Sequence, residues 1–515
     1  MKEFLTKYKK AYLASIVFAL VCFGFMLTHF TITIDEETWL LANQPSLLWL
    51  LQGRFAVWLF DLIFTTEGNF APFLWDFLSV VIWHFSGVIL AYALLGKEKV
   101  KEWQMFFFLA YYSSLPFVVG EILSFSMFNL QVCTAMAATA GAFLYSLKYL
   151  DNKRKKDAAA AFGLLLYGVA VYQALLCVYV TAVVAYCLLR FIKNEDKGLV
   201  RVIVSCAVIC IGAVGIYYGI DMLIWHFSGT ADYLEANYIG WASEDWVREA
   251  VLSVVNVGRV SFAIPYEGVY IYGGVVLRCV SGLFVLYALW LFFKRKGAKQ
   301  KLGIFFYTVV LCVAPFALYI AIATYKTHGR MLLAIPLAGA VQIYLIFREL
   351  DGQGGRLCLY LKRGMLILVS YLLFLNARNM NLIYYYGSIS YEKDCSTANQ
   401  VMYDIKKAGM DYHQKPIAFV GMVEQDDVQT LESDTLGGSI FEWDEGNISR
   451  MKDFLRTKGY AVLMPDSSQI SRAAKEAKTM QTWPMEDSIR ELDDMIVVYF
   501  SEPTEQWYAV NHAEK

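Results

Sequence analysis

Three acids in a row, Asp35, Glu36 and Glu37, follow directly on the first long apolar segment, and Arg54 comes next inside an apolar, tryptophan-rich run. Ionisable groups at the mouth of a membrane helix are costly to keep there unless they serve a purpose. One of these carboxylates can take the proton of a sugar hydroxyl as general base, if burial raises its pKa towards the working pH. It can instead orient an acceptor or bind a divalent cation, or stand in water as an ordinary loop acid. The matching cations are Arg54, Lys326 and Arg330. A leaving phosphate develops negative charge that fixed cations stabilise, and arginine can do so with two parallel bonds. The bland reading of Arg54 is a side chain snorkelling to lipid headgroups. Arg330 follows Thr327-His328-Gly329 at the start of a helix and precedes Pro336; the glycine would allow a ligand to approach closely. Glu37, Glu121, Gln173 and His328 are candidates for lining a substrate site. Asp76, Glu121 and Asp221 lie near helix ends, where exposure at the membrane surface is the default. His84, within IWHFSG, reads as a packed histidine.

The elements that would position these residues are membrane helices. The chain has 515 residues, of which 58% are hydrophobic and 18% charged, and its mean hydropathy is +0.44. Soluble domains are nearer 45–50% apolar and about 25% charged. A membrane helix needs roughly 20 apolar residues. Eleven such segments are expected, near 11–30, 72–95, 104–120, 122–147, 158–172, 174–192, 199–225, 269–293, 302–324, 330–348 and 364–381. The basic start, MKEFLTKYKK, followed by an apolar run, reads as a retained first helix with its N-terminus inside. Lysines and arginines gather in alternate loops, around 97–101, 153–156, 190–201, 294–301 and 348–363. The positive-inside rule puts those loops in the cytoplasm. The outer loops, 31–71 and 226–268, then hold few cations, Arg54 among them. The same rule makes 46–66 an amphipathic helix lying in the outer interface, and it splits the long apolar run of 158–192 at Tyr172-Gln173. Gly215 and Gly219 read as a close helix-packing pair. From about residue 386 the composition becomes charged, with apolar runs PIAFVGMV, YAVLMP and MIVVYF separated by amphipathic stretches such as ISRMKDFLRTKGY. That alternation reads as a small extracytoplasmic α/β domain over 386–515, beside a membrane domain over 1–385.

Several classes of chemistry lack their signatures. No P-loop, HExxH or GxSxG is present, and GQGG at 352–355 lacks a preceding strand and reads as a turn. The ten cysteines are scattered, with only Cys395 in the C-terminal region, and form no metal or disulfide pattern. No basic stripe interleaved with aromatics suggests nucleic acid. No metal ligand set is expected, although a divalent cation at the acids stays open. Aromatic residues make up 16% of the chain; most suit interfacial belts. Trp39, Trp49, Trp58, Trp241 and Trp246 could also stack on sugar rings.

In this order the motifs resemble those of the GtrII glucosyl transferase family, polytopic membrane glycosyltransferases of class C. They are the acidic pair Asp35-Glu36, then Gly53-Arg54, Tyr172-Gln173 and Arg330 with Pro336. Last come Asp394-Cys395-Ser396-Thr397-Ala398-Asn399 and IAFVG at 417–421. The family usually shows two aspartates in the first loop; here the second is Glu36, so the base is Asp35 or Glu36. The resemblance implies a polyprenyl-phosphate-linked sugar donor, commonly of glucose. It implies a cell-surface glycan acceptor outside the cytoplasmic membrane of a bacterium. Expected is direct displacement, with a first-loop carboxylate as base and with Arg54, Arg330 and Lys326 on the donor phosphate. Two other classes remain: a transporter or flippase of lipid-linked saccharides, which should carry midplane charges and inverted repeats, and a non-catalytic envelope assembly protein.

Overall fold

The computed structural model describes residues 1–42, 44–64, 71–228, 239–265, 271–352, 355–423 and 435–514. Parts of the expected outer loop 226–268 and of GQGG lie outside the described residues. The chain divides into two compact units. One comprises the described residues of 1–27, 44–66 and 72–381, the other those of 28–43, of 67–71 and of 382–515.

The first unit is helical. Among the described residues, seven helices are long and apolar enough to cross a membrane: Leu74–Leu95, Asn129–Asn152, Leu175–Ile192, Leu199–Ser228, Gly274–Lys294, Ala298–Ala321 and Arg356–Lys407. A further pair, Glu102–Tyr112 with Pro116–Ser124, is long and apolar enough only when its two pieces are taken together, and it is bent by 46° between them. Pro116 explains the break, since its ring removes a backbone donor and clashes with the preceding turn. The other expected segments form shorter or more polar helices. Lys9–Cys22 is separated from Gly24–Thr28 at Phe23; Lys155–Val171 has 17 residues; Ile335–Gly352 ends in a charged turn. The split at Tyr172-Gln173 is present: Tyr172 leaves the helical region (φ −154°, ψ 114°), and the next helix starts at Leu175.

Three expectations are corrected. Residues 46–66 do not form one helix. Leu48–Leu51 and Phe55–Phe64 are separate, with Gly53 between them at φ +66°, a conformation open to glycine and strained for other residues. Gly215 and Gly219 mark no close packing, because nothing described lies within 4 Å of a Cβ built on either. Asp76, Glu121 and Asp221 are buried rather than exposed, at 7%, 3% and 1% accessibility. His84 is packed as expected, with Nε2 3.2 Å from the Ser15 hydroxyl and Nδ1 3.0 Å from that of Ser113.

The second unit holds a three-stranded sheet in the order β1-β3-β2, formed by β1 Ile417–Val420, β2 Ile489–Glu491 and β3 Ile496–Tyr499. β1 runs parallel to β3 and β2 antiparallel to it, with Phe419 opposite Val498. Every residue of β1 is buried. A strand covered on both faces reads as a continuous apolar run, which is why PIAFVGMV and MIVVYF become strands. YAVLMP joins no strand among the described residues, and its Val462 amide turns back to the Tyr460 carbonyl at 3.0 Å. Helices Ile448–Thr457 and Ser467–Ala477 bring Met451, Phe454 and Ala474 into the same core as β1 and β3. Ile32, just before the acids, is buried in that core too. Burying one such side chain contributes roughly 1.5–3 kcal/mol, so this core fixes where the acidic turn sits within the unit.

Candidate functional site

In the second unit, the turn that carries the acids is built from Thr33 onwards. The Thr33 amide donates to Glu36 Oε2 at 2.8 Å, and the Glu36 amide donates to the Thr33 carbonyl at 3.2 Å. Both bonds close the turn that leads into the short helix Glu36–Trp39, whose N-cap is Asp35. The Glu36 side chain is thereby committed to that turn. Asp35 takes φ +71°, one of the few non-glycine types that tolerate the left-handed region, and its side chain is half exposed. Glu37 is turned inwards, with its side chain fully buried.

One guanidinium collects the charge. Arg450 Nη2 lies 2.8 Å from Asp35 Oδ1, Nη1 2.6 Å from Glu37 Oε1, and Nε 2.6 Å from Asp444 Oδ2. Its place is set by Asn447, whose side-chain oxygen caps the helix Ile448–Thr457 by accepting from the Ser449 and Arg450 amides. Burial pushes the Glu37 carboxyl up to about 7; the Arg450 charge opposes this without cancelling it. Arg450 itself is held well above the ordinary arginine range by Glu37 and Asp35, despite the burial that works against its charge. Removing a carboxylate from water costs several kcal/mol, and a good ion pair repays only part of that. Glu37 Oε2 is buried with no hydrogen-bond partner among the described residues, so it is the oxygen available to carry a proton.

In the first unit, Arg54 sits at the turn made by Gly53. Its guanidinium carbon lies 5.6, 5.1 and 5.0 Å from the ring centroids of Trp49, Phe128 and Tyr172, within range for cation–π attraction. Its Nε is buried without a hydrogen-bond partner among the described residues. The aromatic cage is itself anchored: Trp49 stacks on Phe128 and donates to Asp61 Oδ2 at 3.1 Å, while Gln131 donates to Asp61 Oδ1 at 2.7 Å. Gln173 donates to the Gln52 carbonyl at 3.0 Å and to the Tyr217 hydroxyl at 2.7 Å. It therefore ties the helix break to the Gly53 turn. A Cβ on Gly53 would collide with the Tyr217 hydroxyl and crowd Asp221 and Gln173.

Arg330 occupies a second turn of the same unit. Its guanidinium carbon is 5.5 Å from the centroid of Phe125, whose carbonyl accepts from the Phe128 amide. The two arginines thus engage rings three residues apart, on the link between helices Glu121–Ser124 and Asn129–Asn152. The Arg330 amide donates to Glu121 Oε2 at 3.1 Å. Gly329 is packed so tightly that a Cβ would strike the Phe117 carbonyl and the Glu121 carboxyl. His328 is half-buried directly before this turn. Lys326 is exposed, its Nζ 5.9 Å from the Tyr325 ring.

Sequence reasoning missed Arg450, which pairs with an acid 413 positions away, and nothing in the amphipathic stretch around it marks it out. It also missed Asp61, Gln131 and Tyr217. Of the tryptophans, Trp49 is buried at 4% and serves the Arg54 cage; Trp241 and Trp246 are half exposed and pair at 5.8 Å. Asp394, in the DCSTAN run, accepts from the Ser439 hydroxyl and the Ile440 amide at 2.5 and 2.8 Å, so it fixes a loop of the second unit. Among the described residues no three His, Cys, Asp or Glu converge as metal ligands.

A family model described as Glucosyl transferase GtrII matches residues 24–347, well over half of the chain, including the acidic turn and both arginine turns. No curated protein matches the chain.

Proposed function

The chain belongs to the glucosyl transferase GtrII family, is a membrane glycosyltransferase, and on that premise we propose how it works. The donor is a polyprenyl-phosphate-linked glucose and the acceptor a hydroxyl of a cell-surface glycan. The enzyme spans the cytoplasmic membrane of a bacterium about eleven times, with its N-terminus inside and both the acidic turn and residues 386–515 outside. Alternating basic loops support this orientation.

Asp35 is the base. What supports it is the different employment of the three acids: Glu36 is spent on its turn and Glu37 is enclosed, whereas Asp35 is half exposed. Asp35 takes the proton of the acceptor hydroxyl. The freed oxygen attacks the anomeric carbon, and the carbon–oxygen bond to phosphate breaks with its electron pair leaving on the lipid phosphate. Arg54 and Arg330 hold that phosphate. Each guanidinium lies against aromatic rings, which keeps a cation in a partly dehydrated place at a modest cost. Lys326, exposed beside the Arg330 turn, draws the anionic headgroup in. An apolar cavity of about 170 Å³ in the first unit, lined by Leu277, Phe284, Phe316 and Ile335 among others, suits part of the prenyl chain.

The test is transfer from polyprenyl-phospho-glucose by purified Asp35→Asn and Glu36→Gln. A general base contributes about 10²–10⁴-fold in rate. Asp35→Asn should lose an amount in that range, and Glu36→Gln should lose only what a loosened turn costs. Full activity in Asp35→Asn would sink the assignment.

A further inference from the structure

We propose that a groove in the second unit binds a neutral saccharide chain and serves as a docking site for the glycan acceptor. The proposal rests on the reading of the enzyme as one that glycosylates a glycan. One wall of the groove is the last part of helix Arg356–Lys407. Ser396, Asn399, Gln400, Tyr403 and Asp404 recur there at helical spacing and line one side. The other wall is Trp483 with Pro484. Buried among these positions in sequence are Ala398, Val401 and Met402, with Ile405 just after them, the face that packs into the core. The groove is thus the solvent side of a helix whose other side is locked in place.

Its chemistry is selective. The volume is about 540 Å³, inside the roughly 300–1,000 Å³ of small-molecule sites. Tyr403 is 63% exposed, and Trp483 is half-buried. Together they leave one exposed and one partly exposed ring face along the groove, each with an apolar body and a polar tip. Trp483 is held rather than loose: its amide donates to the Tyr499 carbonyl at 2.7 Å, its ring meets Phe500 edge-on at 6.0 Å, and its indole N–H points to Asp404 Oδ2 at 3.4 Å. Pre-ordered aromatic rings offer flat apolar faces at small entropic cost, and the C–H face of a pyranose is their complement. Asn399 and Gln400 add amides that both donate and accept, which hydroxyl pairs require. Among the described residues the only carboxylic acid lining the groove is Asp404, and no lysine or arginine lines it. A phosphate or nucleotide would meet no counter-charge, so the ligand is neutral.

The probe is maltoheptaose, a neutral glucan, presented to the full chain in detergent and followed by saturation-transfer NMR. The variants are Tyr403→Ala, Trp483→Ala, Trp483→Phe and Gln400→Ala. The last changes only an exposed side chain and guards against misfolding. Saturation should reach the glucan with the native chain, fall about tenfold in affinity when either ring is lost, as for a buried interface aromatic, and recover with Trp483→Phe. In the transfer assay the ring variants should raise KM for a polymeric acceptor by a similar factor while kcat and KM for the lipid donor stay put. No saturation of the native chain, or saturation unchanged in both Tyr403→Ala and Trp483→Ala, overturns the groove. A native chain that binds the glucan but transfers nothing from a polyprenyl-phospho-sugar leaves the groove standing and removes the donor reading. Transfer to a glycan with an unmoved KM in the variants does the reverse.

Discussion

At the scale of single residues, Arg450 decides the electrostatics of the acidic turn. It neutralises one charge among Asp35, Glu37 and Asp444, while burial makes the enclosed Glu37 hold its proton up to about pH 7, with the Arg450 charge opposing it and Asp35 adding a little. Two outcomes follow from this. Replacing Arg450 by Met breaks a largely buried ion pair, which typically costs about 3–5 kcal/mol. Unfolding of the full chain should therefore occur at markedly lower denaturant, and transfer should fall with it. Arg450→Lys should regain part of the stability but not the bridging of three acids, because an ammonium lacks the planar fork. The second outcome concerns pH. The folded-state pKa of Glu37 is raised above its ordinary 4.5. The folded state then binds the proton more tightly than the unfolded state between those two values. Its stabilising contribution is complete below pH 4.5 and is lost as pH rises through about 7. Glu37→Gln should keep the neutral form at every pH. Its unfolding midpoint, measured from pH 4.5 to 8, should overtake that of the native chain towards the alkaline end. Parallel profiles would show that Glu37 is charged throughout.

At the scale of elements, the turn that carries Arg54 depends on Gly53 and Gln173. Gly53→Ala places a side chain at φ +66° against the Tyr217 hydroxyl; the backbone term alone costs an L-residue about 1–2 kcal/mol. Gln173→Leu strands the Gln52 carbonyl and the Tyr217 hydroxyl, each unmade bond costing about 1–3 kcal/mol. Both variants misplace Arg54 and should raise KM for the lipid donor roughly tenfold, the factor that about 1.4 kcal/mol of lost binding gives, while leaving the pH response of Glu37 unchanged. A donor KM equal to the native value in both would detach this turn from phosphate binding. The same elements show what a sequence can reveal. The break at Tyr172-Gln173 is legible because an apolar run that long, flanked by basic loops, must turn back. The break at Gly53 is not, since LLQGRFAVW keeps its amphipathic pattern across the glycine. The partner of Gln173 is a backbone carbonyl 121 positions away, which leaves no mark in the pattern. Burial of Asp76 is hidden for the same reason: Asn129, which donates to it at 2.7 Å, is 53 positions on. Gly215 and Gly219 err in the other direction, for small residues four apart signal packing only where a helix lies opposite, and among the described residues none comes within 4 Å of a Cβ at either.

At the scale of the whole molecule, the order of apolar segments and the alternation of charge carry most of the legible information, because a membrane restricts spanning elements to satisfied helices. The α/β character of the C-terminal stretch is likewise written in its short apolar runs. What the pattern leaves open is that residues 28–42 fold with that stretch, which rests on contacts such as Ile32 with the core around Phe419. This gives the orientation an internal control. In a chain with its ten native cysteines replaced, single cysteines would be placed at Thr38, Lys296 and Glu514, all exposed positions. Intact cells would then be treated with a membrane-impermeant thiol reagent. Thr38 and Glu514 belong to one compact unit, so they must label together whatever the orientation. If they label and Lys296 labels only after permeabilisation, Asp35 faces the outside, where a flipped polyprenyl-phospho-sugar is the available donor and a surface glycan the available acceptor. If Lys296 labels and the pair is protected, the acids face the cytoplasm, the lipid-linked donor must be met on the inner leaflet, and the surface-glycan acceptor is excluded.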